Sequence, residues 1–355
     1  MNWKPVEDLL QEFVARGVPG CEMTVMRRGE VLFHGCAGYS DEERTVPASE
    51  NDRYLMYSCT KMITAACAMK LRELGLLDLD DPVEKYLPAY AGKGMTIRHL
   101  MTMTGGMDYD LNAPEIQNAL RKNPAATTRE IADALAEKAL HFLPGEKWLY
   151  SLCHDVLGAA MEVAAGKSLG ECFRESIFEP AGMTRTEFWS PEKEYSDIAL
   201  QMWFDEETKA LRVHPRVPEF CFSSRYESGG AGLVSCVSDY ARFADAMVTG
   251  KLLSEESIGL LRTDEMAKLG VTNFGCSAGP DYTYGLGVRV RVRAQDDKKY
   301  AMGEFGWDGA AGSDVLMDPD SGISIVYGQH VRKAQAMMPE YHGEIRDRVY
   351  GVIFG

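Results

Sequence analysis

The sequence predicts an α+β fold: one antiparallel sheet assembled from both chain ends, flanked by helices, with a mostly helical block inserted between them. Three observations predict it. Apolar and β-branched residues alternate near both ends, at 20–35 and from Tyr284 to Gln329. The stretch between, from Ser58 to about Cys276, has a helical period. No strand–helix–strand rhythm of the kind that builds parallel sheets runs through the chain.

Each element has a local reason. Residues 1–15 read as an amphipathic helix. Gly20 to Arg28 alternates, Arg28-Gly29-Glu30 turns, and Val31 to Gly35 continues, which makes a β-hairpin with His34 as a half-buried strand histidine. Helices are expected at 58–74, 96–103, 114–122, 128–139, 152–165, 168–177, 236–249 and 254–262, broken by proline and glycine loops. Strands are expected at Gly285 to Arg293, Tyr300 to Phe305, Ser313 to Asp318 and Ile323 to Gln329, with Asp318-Pro319-Asp320-Ser321-Gly322 as a hairpin turn. A helix from about Met338 to Ile353 ends the chain. No linker is long enough to separate independent domains, so 1–355 reads as one domain. Its α/β part is 1–57 with 280–355, and its helical part is 58–279.

Composition sets bounds. The 355 residues are 45% hydrophobic and 26% charged, with ample material for a core. A net charge of −15 argues against nucleic acid and anionic membrane surfaces as partners. Nine cysteines, an odd number without a Cys-x-x-Cys pair, suggest a reducing compartment. The N-terminus lacks an apolar signal core and no stretch is long enough to span a membrane, so a cytoplasmic protein is expected. The seven histidines show no ligand-like spacing and no phosphate-binding loop precedes a helix, so neither metal nor cofactor is expected.

The informative stretch is Ser58-Cys59-Thr60-Lys61 at the mouth of an apolar helix. Ser58 and Lys61 are three apart and share a helix face. That spacing lets an amine take a proton from a hydroxyl, which is a weak nucleophile without such help. The alternative is an N-cap serine beside a solvated lysine. Ser190-Pro191-Glu192-Lys193 repeats the spacing in a polar stretch and reads as a surface turn. Cys59 is one residue off the Lys61 face and reads as buried packing.

The motif acquires weight from the rest of the chain, which resembles the penicillin-recognising serine hydrolases: class C β-lactamases, D-Ala-D-Ala peptidases and the esterases that share their fold. Ser58-Cys59-Thr60-Lys61 is similar to their first motif, and 71–88 to the helix and turn that follow. Thr96 to Thr102, the loop Phe142-Leu143-Pro144-Gly145 through Tyr150-Ser151, Ser228 to Tyr240, and Gly306-Trp307-Asp308-Gly309 come in the family's order. The resemblance implies a β-lactamase/transpeptidase-like fold. It implies Ser58 as nucleophile, Lys61 and Tyr150 as the proton-handling pair, and the N–H groups of Ser58 and Ala310 as the oxyanion hole.

Departures from the family pattern bear on substrate. The lactamases and peptidases carry Tyr-x-Asn where this chain has Tyr150-Ser151-Leu152, and Lys-Thr-Gly or His-Thr-Gly where it has Trp307-Asp308-Gly309. Leu152 cannot hydrogen-bond a substrate amide, and Asp308 is expected to repel a substrate carboxylate. The related esterases have tryptophan at the third motif. Leu152, Trp307, Asp308 and Gly309 are therefore the expected substrate-binding positions. The expected activity is acyl-enzyme hydrolysis of small acyl esters or lactones. The alternatives are a β-lactamase or D-amino-acid peptidase or amidase and, in another class, an inactive ligand-binding homologue.

Overall fold

The computed structural model describes residues 1–276, 279–293 and 302–355. The chain opens with α1 (Lys4–Ala15), started by Pro5 in its first turn, and buries Val6, Leu9, Leu10 and Phe13 along one stripe. β1 (Gly20–Arg27) and β2 (Glu30–Gly38) form the expected hairpin, with a register shift between Val25 and Met26. β3 (Tyr54–Leu55) leads into a 3₁₀ turn at Tyr57–Cys59 and then α2 (Thr60–Glu73). α2 is buried on all sides from Thr60 to Met69, as expected of the central helix in a core rather than of a surface helix with one apolar face.

The helical part continues with α3 (Ile97–Met101), α4 (Pro114–Lys122), α5 (Thr128–Leu135), α6 (Cys153–Ala165), α7 (Leu169–Phe173) and α8 (Glu179–Ala181). α7 and α8 are joined by a wider turn over Arg174–Phe178. Capping boxes at Thr96, Thr127 and Ser168 set three of these starts. The expected helix 128–139 stops at Leu135, where the chain turns toward Lys138.

The expectation of a mostly helical run to Cys276 needs correction over 187–235. β4 (Glu187–Phe188), β5 (Gln201–Phe204), β6 (Leu211–His214) and β7 (Leu233–Ser235) are strands there, too short for their alternation to stand out. β7 pairs with β3 and β4, which brings the segment before Ser58 against a segment more than 170 residues later. Helices α9 (Val237–Val248), α10 (Glu255–Leu261) and α11 (Glu265–Leu269) follow.

The C-terminal part supplies β8 (Tyr282–Tyr284), β9 (Arg289–Arg291), β10 (Phe305–Asp308), β11 (Asp314–Asp318), β12 (Ile323–Gln329) and β13 (Val331–Arg332), then α12 (Ala334–Met337) and α13 (Tyr341–Phe354). The single strand expected at 285–293 is instead two antiparallel strands around a tight turn. Gly285 and Gly287 make that turn possible: a Cβ on Gly285 would lie 2.1 Å from the Leu261 carbonyl oxygen, and Gly287 has φ +81°. Of the strand expected at 300–305, residues 300 and 301 lie outside the described residues, and pairing begins at Phe305.

Among the described residues the main sheet has seven strands in the order β2-β1-β12-β11-β10-β9-β8. All of its pairings are antiparallel, and both chain ends contribute. One face packs under α1 and α13 through Cys21, Met23, Val25, Ile325 and Tyr327. The other adjoins the helical core around α2, α6 and α9. Two smaller sheets cross the expected boundary between the α/β part and the helical part: β3-β7-β4 and β13-β5-β6.

Candidate active site

The fold brings the first expected residue to the inner end of the main sheet. Ser58 sits on the 3₁₀ turn and is 8% exposed. It caps nothing: the N-cap position of α2 belongs to Cys59, and no side-chain cap bond is made. The turn is strained, because the residue before the serine, Tyr57, has φ +45°. Such a conformation costs about 1–3 kcal/mol in a non-glycine residue and persists only where neighbours enforce it. They do so here. The Tyr57 hydroxyl donates to Gln201 Oε1 at 2.6 Å, Phe220 packs against the ring edge at 5.7 Å, and the Arg332 guanidinium lies 4.6 Å above it.

Lys61 is fully buried one turn into the core, close to the serine. Its Nζ donates to the Gly230 carbonyl at 2.8 Å and reaches both Ser58 Oγ and the Tyr109 hydroxyl at 3.4 Å. Burial brings its pKa down from 10.5 to about 7; the nearest opposing influence is the Asp155 carboxylate. Asp155 is itself buried, accepting from the hydroxyls of Tyr226 (2.7 Å) and Ser228 (2.6 Å) and from the Gly230 N–H (3.4 Å). The same short loop, Ser228-Gly229-Gly230, thus holds the carboxylate with one end and the lysine with the other. Both glycines are required by close approach: added Cβ atoms would lie 2.5 Å from the His154 carbonyl oxygen and from Asp155 Oδ2.

Tyr150 stands on the other side of Lys61, its ring centroid 4.5 Å from Nζ. It is sandwiched between Tyr109 (5.3 Å, 3° between planes) and Trp307 (5.8 Å, 21°). Trp307 Nε1 donates to its hydroxyl at 3.3 Å. Burial pushes the Tyr150 hydroxyl pKa up, and the hydrogen bonds to Ser58 and Trp307 only partly oppose this. Desolvation outweighs them, so the phenol is held in its protonated form.

β10 supplies the opposite wall. Gly309 closes the strand end with its N–H on the Ser313 carbonyl (2.8 Å), and a Cβ there would sit 2.6 Å from the Met56 carbonyl oxygen. The buried Cys59 thiol bridges the Trp307 and Ser313 carbonyls at 3.9 and 3.8 Å, which ties the Ser58 turn to β10 and β11. Cys59 is thus packing, as expected, and burial holds its thiol protonated. Ala310 lines the cleft together with Ser58.

That cleft has a volume of about 220 Å³. Trp148, Tyr150, Trp307 and Gln335 are among the residues of its wall. The described residues that line it include no cationic side chain. Leu152, an expected substrate contact, is not among them; it is 2% exposed in the core beneath, with its N–H on the Asp108 carbonyl. Asp308 does line the cleft, and its carboxylate belongs to an ion-paired cluster. Arg289, 3% exposed, donates to Asp308 at 3.1 Å and to Asp314 at 2.6 Å; Gln335 also donates to Asp308, and His342 lies 3.1 Å from Asp314. Asp308 and Asp314 thus share a single guanidinium.

Sequence reasoning missed Tyr109, Asp155 and Arg289, and it marked the Ser228 to Tyr240 stretch without giving Gly230 a role. Each meets the site through a contact across many residues, and no local periodicity or spacing marks any of them. Ser190–Lys193, by contrast, is the polar turn expected, with Lys193 paired to Glu187.

Comparison with known proteins agrees with this fold. The Beta-lactamase family model matches residues 6–338. Esterase EstB of Burkholderia gladioli is 27% identical over 342 residues, covering 88% of this chain and 86% of that protein. Penicillin-binding protein 4* of Bacillus subtilis is 30% identical over 243 residues, 64% of this chain and 52% of that one. Among solved structures, EstCE1, described as a hydrolase with promiscuous acyltransferase activity, superposes with a TM-score of 0.82 at 26% identity over 98% of both chains. The D-amino acid amidase of Ochrobactrum anthropi SV3 shares the fold, with a TM-score of 0.77 at 20% identity over 98% of both chains. The chain belongs to the beta-lactamase family and is a serine hydrolase.

Proposed function

We propose that this serine hydrolase is a carboxylesterase that acts through an acyl-enzyme on small acyl esters or lactones. The observation that carries the reading is Lys61: a buried amine with a pKa near 7 held 3.4 Å from the Oγ of Ser58, which lines a small aromatic cleft. A neutral Lys61 takes the Ser58 proton as Oγ attacks the ester carbonyl. The backbone N–H groups of Ser58 and Ala310 receive the developing oxyanion. Tyr150, protonated at neutral pH, donates its hydroxyl proton to the leaving alkoxide and is resupplied from Lys61. Water then attacks the acyl-enzyme by the reverse route. Trp307 Nε1 holds the Tyr150 hydroxyl in place.

Substrate preference follows from the walls. With Arg289 already committed to Asp308 and Asp314, no cation is offered to a substrate carboxylate by the described lining residues. The volume of about 220 Å³ favours a short acyl group flanked by aromatic faces. The likeness to an esterase over most of both chains supports the same reading.

The test is hydrolysis of p-nitrophenyl acetate and butyrate beside nitrocefin, on wild type and Ser58→Ala. Ester turnover that depends on Ser58, with little nitrocefin turnover, is expected. Efficient nitrocefin turnover would replace the esterase reading with the lactamase one. A fluorophosphonate adding one mass equivalent on Ser58 separates an active enzyme from a ligand-binding homologue.

A further inference from the structure

Far from the Ser58 cleft, the edge hairpin gathers three metal-ligating side chains that the sequence spacing disguised. In the β1–β2 register Glu22 pairs with Cys36 and Thr24 with His34. Side chains alternate along a strand, so Glu22, His34 and Cys36 share one face of the hairpin. Cys21, Met23 and Val25 take the opposite face, under α1 and α13. His34 Nε2 lies 2.9 Å from Glu22 Oε1 and 3.9 Å from Cys36 Sγ, and all three ligand atoms fall within 4.8 Å of one another.

The Glu22 carboxylate is fully buried, and its Oε2 has no hydrogen-bond partner among the described residues. A buried carboxylate oxygen left unpartnered is costly, and a protonated His34 answers only one of the two oxygens. Asp52 and Glu50 add negative potential from nearby. A cation seated between the three side chains would give the buried carboxylate a countercharge.

We propose that Glu22, His34 and Cys36 form a binding site for a borderline-soft divalent cation of the zinc class. The donor set is one oxygen, one imidazole nitrogen and one sulfur, which suits zinc-class ions rather than magnesium or calcium. Ideal bonds of about 2.0–2.1 Å to nitrogen and oxygen and about 2.3 Å to sulfur, at a tetrahedral angle, put N and O about 3.3 Å apart and N and S about 3.6 Å apart. The two spacings from the imidazole nitrogen are within about 0.4 Å of these, and side-chain rotation must also bring the carboxylate oxygen and the sulfur, which lie within 4.8 Å of each other, to about 3.6 Å. The fourth position opens to solvent, because β2 is the sheet edge and the His34 side chain is 36% exposed. Binding releases the Cys36 thiol proton and any proton on His34 to water, leaving thiolate, neutral imidazole and carboxylate on the ion. The ion ties the edge strand to β1.

The test uses the full chain, stripped with a chelator and titrated with Zn²⁺ or Co²⁺. Wild type is expected to bind one equivalent of either and to melt at a higher temperature with Zn²⁺. Bound Co²⁺ is expected to show a thiolate-to-metal charge-transfer band. Cys36→Ser should abolish that band, and His34→Gln, which keeps a neutral partner for Glu22, should weaken binding at least tenfold. Circular dichroism and metal-free melting report whether each variant is folded. Binding of much less than one equivalent by wild type would overturn the proposal. So would wild-type Co²⁺ spectra in both folded variants, which would place the ion on other cysteines.

Discussion

Lys61 Nζ lies closer to the Gly230 carbonyl oxygen, at 2.8 Å, than to Ser58 Oγ, at 3.4 Å. The loop that holds the lysine is in turn held by Asp155, so the burial that lowers the pKa of this amine is opposed by a carboxylate some ninety residues along the chain. That relationship makes the pH profile the most direct probe of the site.

Burial lowers the Lys61 pKa to about 7. The reactive form is the neutral amine, so kcat/KM for p-nitrophenyl butyrate should fall on the acid side with an apparent pKa near 7 and level off above it. Asp155 favours the charged form of Lys61. Asp155→Asn should therefore move the acid limb to lower pH. A limb that stays in place in a folded Asp155→Asn variant would remove Lys61 as the titrating group.

Ser58→Ala should abolish both ester turnover and fluorophosphonate labelling. Tyr150→Phe keeps the aromatic stack between Tyr109 and Trp307 but removes the hydroxyl. Its kcat should drop by about 10²- to 10⁴-fold, the usual contribution of a positioned proton donor, with labelling of Ser58 retained. Full activity in Ser58→Ala would show the site to be misassigned.

Trp307→Phe separates wall from hydrogen bond. The ring still stacks on Tyr150, but the 3.3 Å donation to its hydroxyl is lost. One hydrogen bond of about 0.5–1.5 kcal/mol corresponds to a loss of roughly 2- to 13-fold in kcat/KM. Steady-state kinetics with the acetate and butyrate esters would measure it.

Gly309→Ala would place a methyl 2.6 Å from the Met56 carbonyl oxygen, a backbone atom that cannot swing aside. The strand end must back away from the Ser58 turn and carry the Ala310 N–H with it. Loss of one oxyanion donor costs about 10²- to 10³-fold in kcat. A variant that melts like wild type and turns over normally would show that Ala310 donates nothing.

Arg289→Met would leave Asp308 and Asp314 facing each other without their shared cation. Breaking a buried ion pair by removing one partner costs about 3–5 kcal/mol. Denaturant melts should show a loss of that order. A change below about 1 kcal/mol, the scale of an exposed pair, would mean that solvent already screens the cluster.

What the sequence determined by itself was the local chemistry and the order of the elements. The Ser58–Lys61 spacing, the hairpin at each end of the chain and the period of most helices depend on neighbours within a few residues, and short-range periodicity encodes such contacts. The tertiary structure alone decided the rest. The strain at Tyr57, the Gly230 hold on Lys61, the Trp307 hold on Tyr150 and the pairing of Asp308 with Arg289 each join residues far apart in the chain. The electrostatics were decided there too. Three residues of spacing bring an amine to a hydroxyl, but only enclosure on every side takes the lysine from 10.5 to about 7. Burial is a property of the whole fold, so no local stretch of sequence reports it.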